Sequence, residues 1–169
     1  VVLASGAWSP SVARDLNLRL PVQPAKGYSI TIDTPDNAPT TPLHLSEMKV
    51  VVTPMGAKLR FAGMLELAGF NLSINARRVE GIKNGIPNYL PLKAKLESAQ
   101  VWSGLRPLTP DTLPLIGRSR RCQNLIVATG HGMLGISLAP ITGQLVAEIA
   151  VGVQPSHNLT LFSPDRFRL

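Results

Sequence analysis

The segment Gly130-His131-Gly132-Met133-Leu134-Gly135 limits what this chain can fold into more than any other. It stands between an apolar run, Asn124 to Thr129, and a stretch in which Leu138, Ile141, Leu145 and Ile149 recur at helical spacing. Such a pattern folds as strand, sharp corner and helix, because glycine accepts the backbone angles and close approaches that a corner demands. The corner matches G-x-G-x-x-G literally, and its helix start offers unpaired N–H groups to an anionic or electron-rich ligand. A dinucleotide fold also needs an acidic residue about twenty positions on, ending a second parallel strand. Here that distance falls at Glu148, inside the predicted helix. The segment is therefore not the pyrophosphate loop of a Rossmann unit. The residues alone fit a ligand-facing corner and a plain structural corner equally well.

A second segment, Trp102-Ser103-Gly104-Leu105-Arg106-Pro107-Leu108-Thr109-Pro110-Asp111, sets one guanidinium in a stiff, aromatic-flanked turn. A planar fork held in that way suits a small carboxylate better than a lysine would. The plainer alternative is a salt bridge from Arg106 to Asp111 in the following turn. Tyr28, beside Gly27 on a predicted strand, offers a hydroxyl to a pocket, although a half-buried strand tyrosine is more common. His131 has two readings as well, a hydrogen bond to a cofactor edge or one to nearby backbone.

Val1 to Ala4 reads as the end of a buried strand, leaving through Ser5-Gly6-Ala7-Trp8-Ser9-Pro10. So apolar a beginning predicts a cut through a strand, the chain being the carboxy-terminal piece of a longer protein. Ser11 to Leu16 fits a short helix. Leu20 to Pro24 is extended by its prolines, and Tyr28, Ile30 and Ile32 alternate with polar residues as in a strand. A proline-marked loop covers 34–42. Met48 to Thr53 and Lys58 to Met64 read as a hairpin about Pro54-Met55-Gly56-Ala57. Val79, Ile82, Ile86 and Leu90 keep helical spacing until Pro87 and Pro91, and Ala99 to Leu105 is extended again. The final helix holds Pro140 in its first turn. The predicted class is α+β: a mostly antiparallel mixed sheet with flanking helices over 20–101, and strand-helix elements of a nucleotide-binding lobe over 1–19 and 102–169.

Seventeen Lys and Arg against ten Asp and Glu give a net charge of +7. The basic residues are dispersed, with no basic arm, so attraction for anionic ligands or headgroups is expected and a nucleic-acid partner is not. The single cysteine, Cys122, excludes an internal disulfide framework, and three scattered histidines (His44, His131, His157) predict no metal site. No Ser-His-Asp set or G-x-S-x-G elbow is present. The most apolar stretch, Leu134 to Val153, contains Ser137, Thr142, Gln144 and Glu148 and makes a poor membrane span. The expectation is a cytoplasmic protein, or one peripheral on the cytoplasmic membrane face.

Taken together, Val1 to Ser9, Pro21 to Ser29, Trp102 to Asp111 with Leu113 to Gly117, Asn124 to Gly135 and Phe162 to Phe167 resemble one family. It is the D-amino-acid dehydrogenase and oxidase family of flavoproteins, in its carboxy-terminal half. The resemblance implies FAD bound between two lobes, with an amino acid's carboxylate held over the flavin by Arg106 and Tyr28 a weaker candidate in the substrate lobe (20–101). It implies that Gly6 and Ala7 line the adenosine part, with Trp8 and Pro107 also on the cofactor side. It further implies that Gly130, His131, Gly132, Met133, Leu134 and Gly135 face the pyrimidine side of the flavin, where N–H groups and a helix dipole favour negative charge.

The implied chemistry is oxidative deamination of a D-amino acid. The α-hydrogen leaves as hydride to the flavin, and water hydrolyses the imino acid to a 2-oxo acid and ammonia; the protein orients and the cofactor reacts. As acceptor the resemblance favours a membrane quinone or another electron carrier, with oxygen the alternative. The family's amino-terminal FAD lobe, absent from these 169 residues, is the implied partner; without it the resemblance implies weak FAD binding and no turnover. Glycine or sarcosine-type oxidation, the oxidative step of a tRNA-modifying enzyme, and a non-catalytic piece that mediates association are the alternatives.

Overall fold

In the computed structural model, residues 1–167 are described. Along the chain run β1 (Val2–Leu3), α1 (Ser9–Arg14), β2 (Gln23–Asp33), β3 (Leu43–Leu45), β4 (Val50–Met55), β5 (Lys58–Glu66), α2 (Ala76–Gly85), β6 (Gln100–Leu108), β7 (Leu115–Arg118), β8 (Ile126–Thr129) and α3 (Gly135–Val151). The result is α+β with antiparallel pairing in both sheets. Two compact units form, one from Val1–Pro24 with Arg106–Leu169, the other from Ala25–Leu105.

In the first unit the strand order is β1-β8-β7, with β1 parallel and β7 antiparallel to β8. Side chains alternate across a strand, so Leu115 and Val127 fall on one face and Ile116 and Ile126 on the other. The first pair packs with Leu3, Ala13, Leu18 and Leu20. The second packs under Leu145 and Ile149 of α3. Gly152, at φ +80°, closes α3 in the left-handed conformation, and the Arg118 guanidinium donates to the carbonyl of Ile149 at 2.7 Å. Both satisfy carbonyls that a helix end leaves over.

The second unit carries a five-stranded sheet in the order β3-β4-β5-β2-β6. Ile30 and Ile32 of β2, Val50 and Val52 of β4, and Leu59 and Phe61 of β5 form its core with Val79 and Ile82 of α2. The side chain of Asn75 caps α2 by accepting from the Arg78 N–H.

Several expectations shift, each for a local reason. The first helix covers Ser9–Arg14 rather than 11–16, because Pro10 is pre-set for a first turn and Asn17 turns left-handed at φ 52°. The hairpin turn narrows to Gly56-Ala57, with Met55 paired to Lys58. Pro54 is accommodated within β4 because β3 ends its pairing at Val52, leaving no ladder bond unmade on that flank. Strands β3 and β7 were not expected. Arg106 and Pro107 lie on β6 rather than in a turn; β6 is the sheet's edge strand, where a proline's missing N–H is tolerated. Because α3 begins at Gly135, Pro140 sits beyond its first turn, exposed, where the helix forgoes one backbone bond. Among the described residues no helix is long and apolar enough to cross a membrane.

The segment that follows α3 is held to the first unit by Arg166. Arg166 donates to both carboxylate oxygens of Asp111 (Nε at 2.7 Å, Nη2 at 2.8 Å) and to the carbonyls of Leu113, Pro114 and Ser163. This grip, aided by the Leu113 N–H, holds the Asp111 carboxyl at about 2, below its ordinary 3.8. The unfolded chain therefore takes the proton first on acidification. The pair's contribution is complete above the ordinary value and is lost as pH falls toward about 2. Urea unfolding measured across that window is expected to show a steeper loss of stability in the native chain than in Asp111→Asn, which starts less stable at neutral pH and declines less.

Candidate active site

Within the first unit, three segments converge where β8 ends. They are the exit from β1 (Gly6 to Ser9), the end of β6 and its continuation (Arg106 to Thr109), and the corner Gly130 to Gly135. Buried hydroxyls join them. Ser9 Oγ donates to Thr129 Oγ1 at 2.8 Å, and Thr129 Oγ1 donates to the Gly6 carbonyl at 3.1 Å. The Gly132 N–H donates to the Pro107 carbonyl at 2.9 Å, so the arginine-bearing strand is stitched directly to the corner.

Glycine is required at two places here. Gly130 (φ +79°) and Gly132 (φ +55°) both take left-handed backbone conformations. A Cβ on Gly130 would lie 2.7 Å from Thr109 Cγ2, inside any ordinary contact. Thr109 cannot simply turn away, since its hydroxyl is committed to the Leu113 carbonyl at 2.7 Å.

The corner leads into α3, whose first N–H groups, on Gly135, Ile136 and Ser137, have no intrahelical acceptor. Around this opening Trp8, Met133, Leu134 and Ile136 are exposed, Ile136 at 93%. Ala7 is buried, backbone included. His131 is half-buried, and its Nε2 lies 3.1 Å from Thr142 Oγ1. Burial lowers the imidazole below its ordinary value, which keeps it neutral at pH 7.

Arg106 is half-buried, one residue before the carbonyl that accepts from Gly132, and burial lowers its guanidinium below the ordinary value. It stays charged, as arginines do. The Asp111 carboxylate is held by Arg166 on both oxygens. Tyr28 belongs to the second unit. It is buried there, and its hydroxyl donates to Glu66 Oε2 at 2.7 Å. Glu66 also meets Lys26 (3.4 Å) and Arg78 (3.2 Å), and the Tyr28 hydrogen bond leads the interactions that hold its carboxyl below the ordinary value. The Trp102 ring lies across Gly104, where a methyl would run into it.

Ser9, Thr109, Thr129 and Thr142 were not singled out from the sequence, although they pin the corner. The one available signal was a threonine closing an apolar strand at a glycine, which is too common to stand out.

A strand-borne arginine beside a glycine corner and a helix start makes a site suited to an anionic or electron-rich ligand. The family model "FAD dependent oxidoreductase" (DAO) matches residues 1–149, and the chain belongs to that family. FAD is the family's cofactor. Among solved structures, glycine oxidase from Geobacillus kaustophilus is 30% identical, with a TM-score of 0.89 over 99% of this chain and 45% of that one. Iminodiacetate oxidase from Chelativorans sp. BNC1 is 25% identical, with a TM-score of 0.82 over 96% of this chain and 45% of its own. An L-amino acid deaminase from Proteus vulgaris shares the fold at 21% identity, with a TM-score of 0.82 over 99% of this chain and 42% of that one. The chain thus spans less than half the length of each of these structures.

Proposed function

We propose that the complete protein oxidises an α-amino acid, and that Arg106 holds the substrate carboxylate. The observation that carries this reading is the Gly132-to-Pro107 hydrogen bond, which holds the residue after Arg106 against the corner. A guanidinium there supplies two parallel donors to a carboxylate, orienting the α-carbon instead of merely attracting charge.

The corner's own residues fit FAD. Left-handed glycines keep the surface free of side chains, the N–H groups of Gly135, Ile136 and Ser137 suit an electron-rich ring edge, and Trp8, Met133 and Ile136 offer apolar cover. When bound, FAD would supply the two-electron acceptor that no side chain can. Neutral His131 would leave the local field to the helix start, adding no charge of its own. Gly6 and Trp8 would border the cofactor at the β1 exit, with Ala7 buried beneath them.

As substrate class we propose D-amino acids, by the resemblance to bacterial D-amino acid dehydrogenase small subunits. A second reading, glycine or a secondary amino acid, is favoured by the likeness to glycine oxidase and iminodiacetate oxidase. The deciding measurement is loss of flavin absorbance under anaerobic mixing of the purified complete protein with D-alanine, L-alanine, glycine, sarcosine and iminodiacetate. Turnover is then followed with oxygen and with a quinone analogue. Rapid bleaching by D-alanine supports the first reading, and preference for glycine or sarcosine the second. Bleaching by none of them would reject amino-acid oxidation.

A further inference from the structure

We propose that a groove on the first unit, lined by none of the corner's residues, binds a phosphate-bearing ligand of nucleotide size. The groove has a volume of about 1110 Å³, and its lining includes Arg14, Arg19, Arg120 and Arg121. Two of these arginines come from α1 and the turn that follows it, the other two from the turn between β7 and β8. That turn enters β8 at Ile126, whereas the corner leaves β8 after Thr129. Groove and candidate active site therefore occupy opposite ends of one strand.

The charge of the groove is nearly all of one sign. Asp165 is the single carboxylate among the lining residues, and its Oδ2 accepts the Arg120 backbone N–H at 3.0 Å. Among the described residues none of these four arginines forms an ion pair, whereas Lys26, Lys58, Arg78, Lys83 and Arg166 do. Four guanidiniums gathered with so little compensation repel one another, and an anion in the groove relieves that cost. All four are arginine, whose planar fork matches phosphate oxygens two at a time. The space exceeds what a single phosphate fills. Leu18, Leu20 and Phe167 add an apolar wall, which suits a ligand with a base or an acyl part attached to its phosphates.

The same chemistry comes from a free nucleotide or from an anionic lipid headgroup, and two probes separate them. The FAD-loaded complete protein is titrated with ATP by calorimetry, and it is sedimented with phosphatidylcholine vesicles with and without phosphatidylglycerol. Binding in at least one arm is expected, weakening steeply with salt. Arg120→Gln/Arg121→Gln and Arg14→Gln/Arg19→Gln are each expected to weaken that binding by about tenfold or more while amino-acid oxidation is unchanged. The lysine counterparts keep the charge and lose the fork, and they are expected to fall between. ATP binding alone marks a soluble ligand, and phosphatidylglycerol-dependent sedimentation marks a membrane headgroup. Failure of both probes to bind, or glutamine variants that bind as the native protein does, overturns the proposal.

Discussion

Lysine in place of Arg106 is expected to lower kcat/KM for the amino acid by roughly 10- to 150-fold, about 1.5–3 kcal/mol of lost charge-assisted hydrogen bonding. The charge survives in Arg106→Lys, so the loss isolates the two-point grip from simple attraction. Flavin content is expected to stay close to native, because the stitch from β6 to the corner uses the Pro107 carbonyl and not the Arg106 side chain. Steady-state kinetics beside a flavin absorbance spectrum make the measurement. Unchanged kcat/KM in a fully flavinylated Arg106→Lys protein would remove the arginine from the site.

The second large effect concerns backbone. Gly130→Ala is expected to destabilise the protein by about 2–4 kcal/mol, the sum of a left-handed residue acquiring a Cβ and overpacking against Thr109. The two costs can be separated. Thr109→Ser removes the Cγ2 that a Cβ on Gly130 would strike at 2.7 Å, yet it keeps the hydroxyl that reaches the Leu113 carbonyl. The double variant should therefore regain the overpacking share and leave the conformational share, a positive coupling readable in a urea double-mutant cycle. Strict additivity would mean that the corner relaxes away from β6 without cost.

Periodicity carried much of the architecture. The alternation at Tyr28, Ile30 and Ile32 placed β2, and the spacing of Val79 and Ile82 placed α2 because one face of each had to be buried. Prolines misled twice. Pro54 and Pro107 read as turn residues, whereas a strand flank without a partner accepts a residue that has no N–H. The brevity of β3 and β7 left too few residues for a pattern. Of the candidate site, Arg106 and the glycines were legible by type, since a forked cation and a Cβ-free corner are distinctive. Their connection was not. The Pro107 carbonyl, the Ser9 and Thr129 hydroxyls and the Arg166 grip on Asp111 all join residues far apart in the chain, and no local pattern encodes which arginine will meet which acid.

The pairing of β1 with β8 has a consequence for how the molecule is made. Val2 lies beside Ile126, so the first unit encloses the second as a continuous insert, Ala25–Leu105, between its halves. The ribosome delivers the whole insert, with its own hairpins and core, well before β8 emerges. The insert can mature during synthesis, while β1 waits for β8. A polypeptide stalled before β8 would hence present the insert with β1 still lacking that strand, the kind of intermediate that chaperones recognise.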